Sequence, residues 1–596
     1  MSIKKIFNKS VVTAAVSSVL LAGCLWDDPR WVADQVSQAV KERRLVRILT
    51  DLEVRATPTE DGSSTTRAAG SEGYENSVEY IKRKMRKMGY KVWTQELDFR
   101  SWVELANTSL AVNGQTLVHI RDATDDVPAD YATMSYSGGS GGPINAPIAF
   151  VTPDFDFDAP DYDSSDGCEA SDFDGVDVSG KVAVIQRGAC TFDAKVSNAE
   201  AAGAVAVIVF NQGNSDGRKG VVNGTLGSDT GVTIPAFGAR FDLGKDWYDA
   251  LQGGASYMAD LAVAVRDENI VTHNVLAETR KGNDDQVVML GAHLDSVPEG
   301  PGINDNGSGT AGLLEYATAL KKMKVKPKNK IRFAWWAAEE AGLVGSNFYT
   351  NALFSPIRDD AVQLILDELG LDDPSQLTEE QLEMVDARYN ELNPVKLYLN
   401  FDMIGSPNYI YGVMDGDLSD TKDSPDNAYP GDFEPPYGTS DIESLFNEYF
   451  DNANEKTVPQ ALSNRSDYAG FAQWGVAFGG LFTGAERVKS DQEAADFGGE
   501  AGVAYDKCYH QACDDFGNVS HEALVTNTKS LSYVTTYYAM SEQLFPPKPE
   551  AEVQPFGLRS LASPTHTHHV GDVIKAASRE HADHGHFHGD FDQDRE

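Results

Sequence analysis

Histidine, aspartate and glutamate residues stand at the ends of apolar runs after residue 285 of this 596-residue chain. One run ends in "GAHLDS", with His293 and Asp295, and "GINDNG" brings Asp305 soon afterwards. A second run ends in "AWWAAEEAG", with the adjacent carboxylates of Glu339 and Glu340. Two neighbouring carboxylates lose hydration and repel each other when they are buried, so a nearby cation would stabilise them. Imidazole and carboxylate groups together are typical ligands of zinc.

Two later segments add donors of the same kind. "NFDMIG" ends a third apolar run with Asp402, and "YDKCYHQACDDFGN" places His510 between two cysteines. A disulfide between Cys508 and Cys513 would close a six-residue loop and position the imidazole without a strand. Two metal ions roughly 3.5 to 4 Å apart can lower the pKa of a bridging water, while a free carboxylate takes its proton.

The elements that carry these residues are predicted to be buried strands. The runs "QVVMLGAHLD", "KIRFAWWAAEE", "VKLYLNFDMIG" and "GVAFGGLFTG" are continuously apolar, which is typical of a largely parallel sheet with helices on both faces. Donors at the carboxyl ends of such strands meet at one edge of the sheet. His293 and Asp295 are two residues apart on an extended segment and point to one side, so one can bind a metal while the other orients it. The glycines after Asp305 leave the backbone free to turn the carboxylate inward and begin a helix.

The first half of the chain also predicts α/β structure. "SEGYENSVEYIKRKMRKMGYKVWTQELDF" indicates a helix that ends at Gly89 and a strand beyond it. Within residues 140–270, two β-branched runs flank an alanine-rich helix in "KVAVIQRGACTFDAKVSNAEAAGAVAVIVF", which indicates a compact α/β module. Cys168 and Cys190 lie in this region and can form a local disulfide in an oxidising compartment.

An acidic insertion at residues 351–393 separates the second apolar run from the third. Its "TEEQLEMVDARYN" opens with Thr378 and Gln381 at the spacing of a capping box, which predicts a helix. We interpret the insertion as a surface elaboration.

Composition limits the partners of the chain. Its length exceeds what one hydrophobic core accommodates, so at least two domains are expected. The formal net charge of −41 argues against nucleic acid as a partner and disfavours anionic membrane surfaces, because such a chain repels phosphates.

The two ends of the chain differ from the rest. Residues 1–23 carry lysines, a short apolar stretch and then small residues, which is typical of an export signal and too short for a stable membrane span. The "LLAGC" that follows resembles the lipobox of bacterial lipoproteins, which implies lipidation of Cys24 and a location in the bacterial cell envelope. The tail, residues 548–596, holds seven of the twelve histidines without apolar periodicity and is predicted to be disordered.

Six ordered motifs resemble one family. The segments "HLDS", "GINDNGSG", "AAEEAGLVGS", "NFDMIG", "RSDYAGFAQWGVAFGGLFTGAE" and "CYHQACDD" are similar to the co-catalytic zinc exopeptidases of metallopeptidase family 28, of leucyl aminopeptidase and aminopeptidase Y type. The module after residue 140 resembles the non-catalytic protease-associated (PA) domain inserted in several exported peptidases. The resemblance implies an α/β, three-layer zinc-exopeptidase (phosphorylase/hydrolase-like) fold, with a mixed and mainly parallel central sheet. The expected limits are a signal peptide (1–23), the first part of the peptidase domain (24–140), the PA domain (141–270), the catalytic zinc peptidase domain (271–547) and the tail (548–596).

The resemblance also assigns metal ligands by position. Asp305 would bridge two zinc ions. His293 and Asp402 would complete the shell of one ion, and Glu340 and His510 that of the other. The longer acidic stretch between Glu340 and Asp402 departs from the family pattern and puts the shape of the cleft rim in doubt.

Four further residues match the motifs. Glu339 would be the general base, and Tyr509 would help to hold the tetrahedral intermediate. Asp295 matches an aspartate that orients a ligand without binding metal. Asp467 in "RSDYAGF" matches an aspartate whose role stays open.

The implied activity is that of an exported zinc aminopeptidase, which hydrolyses peptides with a free N-terminus through a metal-bridged hydroxide. A carboxypeptidase of the glutamate type is the main alternative. Such enzymes need arginines for a terminal carboxylate, and the region before Asp467 offers mainly Arg465. A non-catalytic, receptor-like relative would have lost ligands, whereas every ligand position here is filled.

Overall fold

The computed structural model describes residues 27–59, 62–105, 108–124, 127–157, 162, 165–424, 426–429 and 433–546. The predicted export signal, Cys24 and the histidine-rich tail lie outside these residues. The chain forms two compact units. The discontinuous unit comprises the residues up to Leu97 and those from Val271 onward, and the inserted unit is Asp98–Ile270.

The helices of the described residues are distributed over both units. None of them has both the length and the apolar composition that crossing a bilayer requires. In chain order they are α1 (Pro29–Gln38), α2 (Glu42–Glu53), α3 (Glu72–Met88), α4 (Phe192–Ala201), α5 (Phe241–Gln252), α6 (Gly307–Met323), α7 (Val344–Leu369), α8 (Glu379–Leu392), α9 (Thr439–Ala453), α10 (Tyr468–Gln473), α11 (Asp491–Phe497) and α12 (His521–Met540).

The strands form two large sheets and one small hairpin. In chain order they are β1 (Thr57–Pro58), β2 (Thr65–Thr66), β3 (Lys91–Glu104), β4 (Ser109–Val112), β5 (Gln115–Thr116), β6 (Tyr131–Thr133), β7 (Ile144–Phe150), β8 (Val182–Gln186), β9 (Ala206–Phe210), β10 (Ala236–Ala239), β11 (Met258–Ala262), β12 (Val265–Glu278), β13 (Asn283–His293), β14 (Asn329–Trp336), β15 (Val395–Phe401), β16 (Gly412–Met414), β17 (Val458–Gln460) and β18 (Ala477–Phe482).

The sheet of the discontinuous unit has the order β17-β16-β18-β15-β13-β14-β12-β3. Its central strands β18, β15, β13 and β14 are parallel neighbours, while β12 and β16 run antiparallel to β14 and β18. The last seven residues of β13 are all buried, as expected for a strand covered on both faces. The predicted mixed, mainly parallel sheet is confirmed.

Helices cover this sheet on both faces and make three layers. Val288 and Leu290 of β13 pack in one hydrophobic core with side chains of α1, α2, α3, α6, α9 and α12. Val287 and Met289 point to the opposite face and pack with side chains of α7, α8 and α10. This alternation follows from the two-residue period of a strand. The helix predicted from the capping box is confirmed as α8, capped by Thr378.

The insertion at residues 351–393 is more than a surface elaboration. Phe354, Ile365 and Val385 from this segment are buried in the same core as Trp336 of β14. The apolar residues of α7 and α8 therefore cover one face of the sheet.

The inserted unit has its own sheet, in the order β5-β4-β11-β7-β8-β9-β10-β6. Strands β7 to β10 are parallel, and every residue of β8 and β9 is buried. Helix α4 connects β8 to β9, as the sequence predicted. The disulfide between Cys168 and Cys190 is formed, with an S–S distance of 2.06 Å.

The compact unit that contains the expected PA domain extends further toward the N-terminus than residue 141. The sequence placed its start at residue 141, whereas the compact unit starts at Asp98. The reason is that β4 pairs with β11 and β6 pairs with β10, so both belong to the second sheet. These strands have only three or four residues each, which is too short to give a clear periodic signal.

Candidate metal centre

His293 is the last residue of β13 and is 1% exposed. Its Nδ1 lies 3.2 Å from the carbonyl oxygen of Asp295 and 3.6 Å from that residue's Oδ1. Its Nε2 lies 3.1 Å from Asp305 Oδ1 and 3.2 Å from Asp402 Oδ1. A hydrogen bond from Nδ1 to Asp295 would fix the ring and leave Nε2 as the ligand atom.

Asp305 lies between two imidazoles that come from distant parts of the chain. Its Oδ1 faces His293, whereas its Oδ2 lies 3.4 Å from Nε2 of His510. Its backbone N–H donates to Oδ2 of Asp514 at 2.9 Å. The carboxylate is therefore held in a position where each oxygen can bind a different cation.

The start of α6 explains one glycine of "NDNGSG". Asn306 caps the helix by accepting a hydrogen bond from the N–H of Gly309 at 2.9 Å. A Cβ atom on Gly309 would lie 2.1 Å from the carbonyl oxygen of Phe401 at the end of β15. This glycine lets the helix approach the strand, rather than giving the backbone the freedom that the sequence suggested.

The adjacent glutamates lie in the turn after β14. The backbone N–H groups of Glu339 and Glu340 donate to Oδ1 and Oδ2 of Asp295 at 3.2 and 3.3 Å. The two side chains then diverge. Oε2 of Glu340 is 3.1 Å from Nε2 of His510, and Oε2 of Glu339 is 4.0 Å from Nε2 of His293. Asp295 thus orients both the histidine and the glutamate turn.

The site is strongly acidic, and its pKa shifts show this. Burial raises the pKa of Glu340 to about 7 and that of Glu339 well above its usual value. Burial opposes charge on His510, but hydrogen bonding to Asp305 and Glu340 outweighs it and raises its pKa to about 10. Burial likewise opposes charge on His293, yet neighbouring carboxylates raise its pKa well above normal. A donor set that attracts protons this strongly also favours divalent cations.

Asp402 and Asp467 complete the acidic surroundings. Asp402 follows β15, and its Oδ2 accepts a hydrogen bond from Ser466 Oγ at 2.6 Å. Asp467 is 1% exposed, and burial raises the pKa of its carboxyl to about 8. The structure brings Asp402 into contact with His293 but shows Asp467 only as a buried acid beside the centre.

The loop that carries His510 is closed by the predicted disulfide. Cys508 and Cys513 are bonded, and Asp506 Oδ1 accepts the N–H of Cys508 at 2.8 Å. Asn518 Nδ2 donates to Asp506 on one side of the loop and to Asp514 on the other. Both ends of the loop are therefore fixed by hydrogen bonds.

The same network ties the His510 loop to the segment before α6. Asn304 donates its backbone N–H to Asp514 Oδ1 at 2.8 Å and its side-chain amide to Asp506 Oδ2 at 2.7 Å. The sequence did not identify Asp506 or Asp514 as functional. The only signal was that both acids flank the cysteine pair.

Tyr509 stacks on His510 with 3.8 Å between the ring centroids. Its Oη accepts a hydrogen bond from Arg465 Nη2 at 3.1 Å, and Arg465 Nη1 donates to Glu486 Oε1 at 2.7 Å. Burial raises the pKa of the Tyr509 phenol, so the hydroxyl keeps its proton at neutral pH.

Arg67 is a second residue that the sequence did not single out. It is fully buried, and its guanidinium donates to the carbonyl oxygens of Leu294, Pro301 (2.7 Å) and Gly302 (2.5 Å). These carbonyls lie in the segment that connects His293 to Asp305. Arg67 therefore braces the connection between two predicted ligands.

The donor atoms fit divalent metal ions. Ligand atoms of His293, Asp305 and Glu340 lie within 4.8 Å of one another, and so do those of His293, Glu339 and Asp402. Oε1 of Glu340 is buried and has no hydrogen-bond partner among the described residues, which leaves it free for a cation. Asp402 Oδ1 is closer to His293 Nε2 than Glu339 Oε2 is, which favours Asp402 as the ligand.

Comparisons with known proteins agree with this geometry. The model of peptidase family M28 matches residues 274–535, and that of the PA domain matches residues 145–247. An aminopeptidase of Pseudomonas aeruginosa is 40% identical over 495 residues, which is 83% of this chain and 81% of the relative. Leucine aminopeptidase 2 of Trichophyton equinum is 36% identical over 484 residues, covering 81% and 82%.

A solved structure shows the same fold. The aminopeptidase from Aneurinibacillus sp. strain AM-1 superimposes with a TM-score of 0.55 at 22% identity, over 85% of this chain and 96% of that one. The resemblance read from the six motifs is confirmed, and this chain belongs to peptidase family M28 and carries a PA domain.

Proposed function

We propose that the protein is an exported aminopeptidase that uses two zinc ions to remove N-terminal residues from peptides with a free amino group. The observation that carries this proposal is the placement of Asp305, whose two oxygens face the imidazoles of His293 and His510. Each imidazole has one further carboxylate beside it, Asp402 or Glu340. The names of the relatives support the aminopeptidase assignment.

One zinc ion would be held by His293, Asp402 and Oδ1 of Asp305. The other would be held by His510, Glu340 and Oδ2 of Asp305. Three carboxylates and two neutral imidazoles nearly offset the charge of two Zn²⁺ ions. When bound, such ions act as Lewis acids that polarise the scissile carbonyl and make water a better nucleophile at neutral pH.

Glu339 is suited to the role of general base. Asp295 anchors its backbone, so the position of the side chain is determined by the turn after β14. Burial raises the pKa of the Glu339 carboxyl, so its carboxylate is a strong proton acceptor. It would accept a proton from the attacking water and deliver that proton to the leaving amine.

Tyr509 is placed to stabilise negative charge on the substrate oxygen. Arg465 donates to the phenol oxygen, so the phenol O–H remains available to donate elsewhere. A hydroxyl aimed at a developing oxyanion stabilises the transition state more than the ground state.

The charges favour a substrate amine over a substrate carboxylate. Asp402 and Glu339 would place negative charge near a protonated α-amine of a bound peptide. The carboxypeptidase alternative needs a cation for the terminal carboxylate, and Arg465 is paired with Glu486. This ion pair favours the aminopeptidase.

A peptide panel tests the proposal. Leucyl peptides with a free amine, an acetylated amine or an amidated carboxyl end are incubated with the enzyme before and after removal of metal with a chelator, followed by zinc addition. We expect cleavage of the free-amine and amidated peptides, loss of both on chelation and recovery with zinc. Cleavage that requires a free carboxyl end would instead support the carboxypeptidase.

The proposal of export rests on residues 1–24, which lie outside the described part of the chain. The lysines, the short apolar stretch and "LLAGC" support cleavage before Cys24 and lipidation of that cysteine. We expect Cys24→Ser to move the protein from the membrane fraction to the soluble fraction of a bacterial host when the membranes are washed at high salt, which removes electrostatic binding but not a lipid anchor. Unchanged fractionation would contradict the lipid anchor.

A further inference from the structure

Basic residues gather at one end of the discontinuous unit, although the chain as a whole has a net charge of −41. The last turns of α3 read "KRKMRKMG", and the segment from the end of α6 reads "KKMKVKPKNK". Arg83, Arg86 and Lys87 of α3 are exposed, as are Lys322 and Lys326. These cations outnumber the exposed acids Asp284 and Asp285 in the adjoining strand, so this end of the unit is locally basic.

The ends of α3 and α6 form two walls of a cleft of about 480 Å³, and the turn between β12 and β13 forms the third. Arg280 in that turn donates to the carbonyl oxygen of Gly89 at 2.8 Å, which joins the walls. We call this the basic cleft and define it by its exposed cations Arg280, Lys281, Lys321 and Lys324. Its volume falls within the roughly 300 to 1,000 Å³ of small-molecule sites.

The cations of the basic cleft have no ion pair within the described residues. Nearby basic residues do have one, since Lys328 pairs with Glu542 and Lys330 pairs with Asp284. Lys321 in the last turn of α6 offsets the helix dipole. Lys324 is the C-cap residue of α6 and offsets the same dipole, whereas Arg280 and Lys281 lie in the turn between β12 and β13, so the dipole of α6 does not explain their presence.

The basic cleft lies on the far side of the unit from the metal centre. Helix α6 begins two residues after Asp305 and ends at Met323, with its C-cap Lys324 in the cleft. Its 17 residues span about 25 Å. A partner bound at the cleft would therefore leave the carboxyl ends of the strands open to peptides.

The N-terminal end of the described chain lies at this same end of the unit. Arg30 in the first turn of α1 stacks over the ring of Tyr537, near the end of α12. The end of α12 is in turn bonded to the segment beside the cleft, because Lys328 N–H donates to Ala539. The first described residues, to which the N-terminal segment is joined, therefore lie on the side of the basic cleft.

We propose that the basic cleft and the cations around it dock on an anionic lipid surface by binding phosphate headgroups. Charges beyond a Debye length of about 8 Å are largely screened, so the local cations govern the contact and not the net charge. Tyr90, Leu320 and Ile331 line the cleft and give it an apolar floor beneath the cations. An acidic peptide would satisfy the cations equally well, but the position of the N-terminal end favours a membrane.

Vesicle sedimentation tests this inference independently of the aminopeptidase proposal. The full chain carrying Cys24→Ser, which removes the acylation site, is mixed with phosphatidylcholine vesicles or with vesicles that also contain phosphatidylglycerol, at low and high salt. We expect binding to the anionic vesicles that falls with salt. Lys281→Gln, Lys321→Gln and Lys324→Gln together should weaken it by a factor on the order of 100.

A matched triple variant controls for net charge. Lys245→Gln, Lys422→Gln and Lys456→Gln remove the same charge from other surfaces and should leave vesicle binding unchanged. Both triples should hydrolyse peptides like the parent, which shows that they are folded. Equal binding of the parent to both vesicle types, or equal binding of the two triples, would overturn the proposal. Binding to polyglutamate but not to vesicles would also overturn it, in favour of an acidic protein partner.

Discussion

The variant Glu339→Gln separates proton transfer from metal binding. The substitution keeps the size of the side chain and the backbone N–H that donates to Asp295. It removes the negative charge and the capacity to take a proton from water. Because Glu339 Oε2 lies 4.0 Å from His293 Nε2, while Asp402 Oδ1 lies at 3.2 Å, we expect the ligand set to survive.

The expected loss follows from the role of a general base. Such a group contributes about 10²- to 10⁴-fold to the rate, which corresponds to about 3 to 5.5 kcal/mol of activation free energy. We therefore expect kcat of Glu339→Gln to fall by at least about 100-fold. The zinc content should stay at two ions per chain.

The neighbouring variant Glu340→Gln is the matched control. The chemical change is the same one residue later, but Glu340 Oε2 lies 3.1 Å from His510 Nε2 in the predicted ligand set. Loss of an anionic ligand should lower the zinc affinity at that position by at least about 100-fold. Loss of a residue that only hydrogen-bonds to a ligand already lowers metal affinity by up to about 100-fold. Excess zinc should then restore part of the activity of Glu340→Gln and none of that of Glu339→Gln.

The assay combines peptide hydrolysis, metal analysis after dialysis and a zinc titration of each variant. The reasoning would be refuted if Glu339→Gln lost zinc, or if it kept full turnover with two zinc ions bound. Rescue of Glu339→Gln by excess zinc would reverse the roles assigned to the two glutamates.

Three further predictions concern the frame around the ions. Asp305→Ala should lose zinc from both positions as well as activity, and a variant that still held two equivalents by metal analysis would contradict bridging. Arg67→Met leaves the buried carbonyls of Leu294 and Pro301 without a donor at about 1 to 3 kcal/mol each, whereas Gly302 keeps the N–H of Gly307, so unfolding by urea should show the discontinuous unit destabilised by at least about 2 kcal/mol, with weaker zinc binding. The double variant Cys508→Ser with Cys513→Ser should lose more free energy of zinc binding than free energy of unfolding. A zinc affinity equal to that of the parent, measured by chelator competition, would show that the disulfide does not position the histidine.

The strands and the candidate metal-binding residues could be predicted from the sequence because both signals are local. A continuous apolar run predicts a buried strand, and an acidic or histidine residue at its end is visible in the same few letters. This is why β13, β14 and β15 were predicted correctly, and the structure brings the acidic and histidine residues that follow them together, as expected. The two disulfides were also predicted, since each joins cysteines that are near neighbours in sequence.

The bracing residues were not predicted because their partners are backbone atoms far away in sequence. Arg67 binds the carbonyl oxygen of Pro301, 234 positions later, and Asp514 binds the N–H of Asp305, 209 positions earlier. A hydrogen bond to the main chain requires no particular side chain in the partner, so it leaves no complementary residue type to find. The short strands before residue 141 were missed for a related reason, since their pairing is long-range.

The separation of the two proposed metal positions depends on this long-range network. His293 is fixed by the end of a central strand, whereas His510 lies in a loop outside the sheet. The loop is nevertheless tied to the Asp305 segment, because Asp514 accepts the N–H of Asp305 while Asn518 links Asp514 to Asp506 at the other end of the loop. A shift of the loop would therefore carry Asp305 with it. The distance between the two imidazoles therefore depends on buried amides and carboxylates outside the proposed ligand set, and a change at Asp514 should disturb both proposed metal positions together.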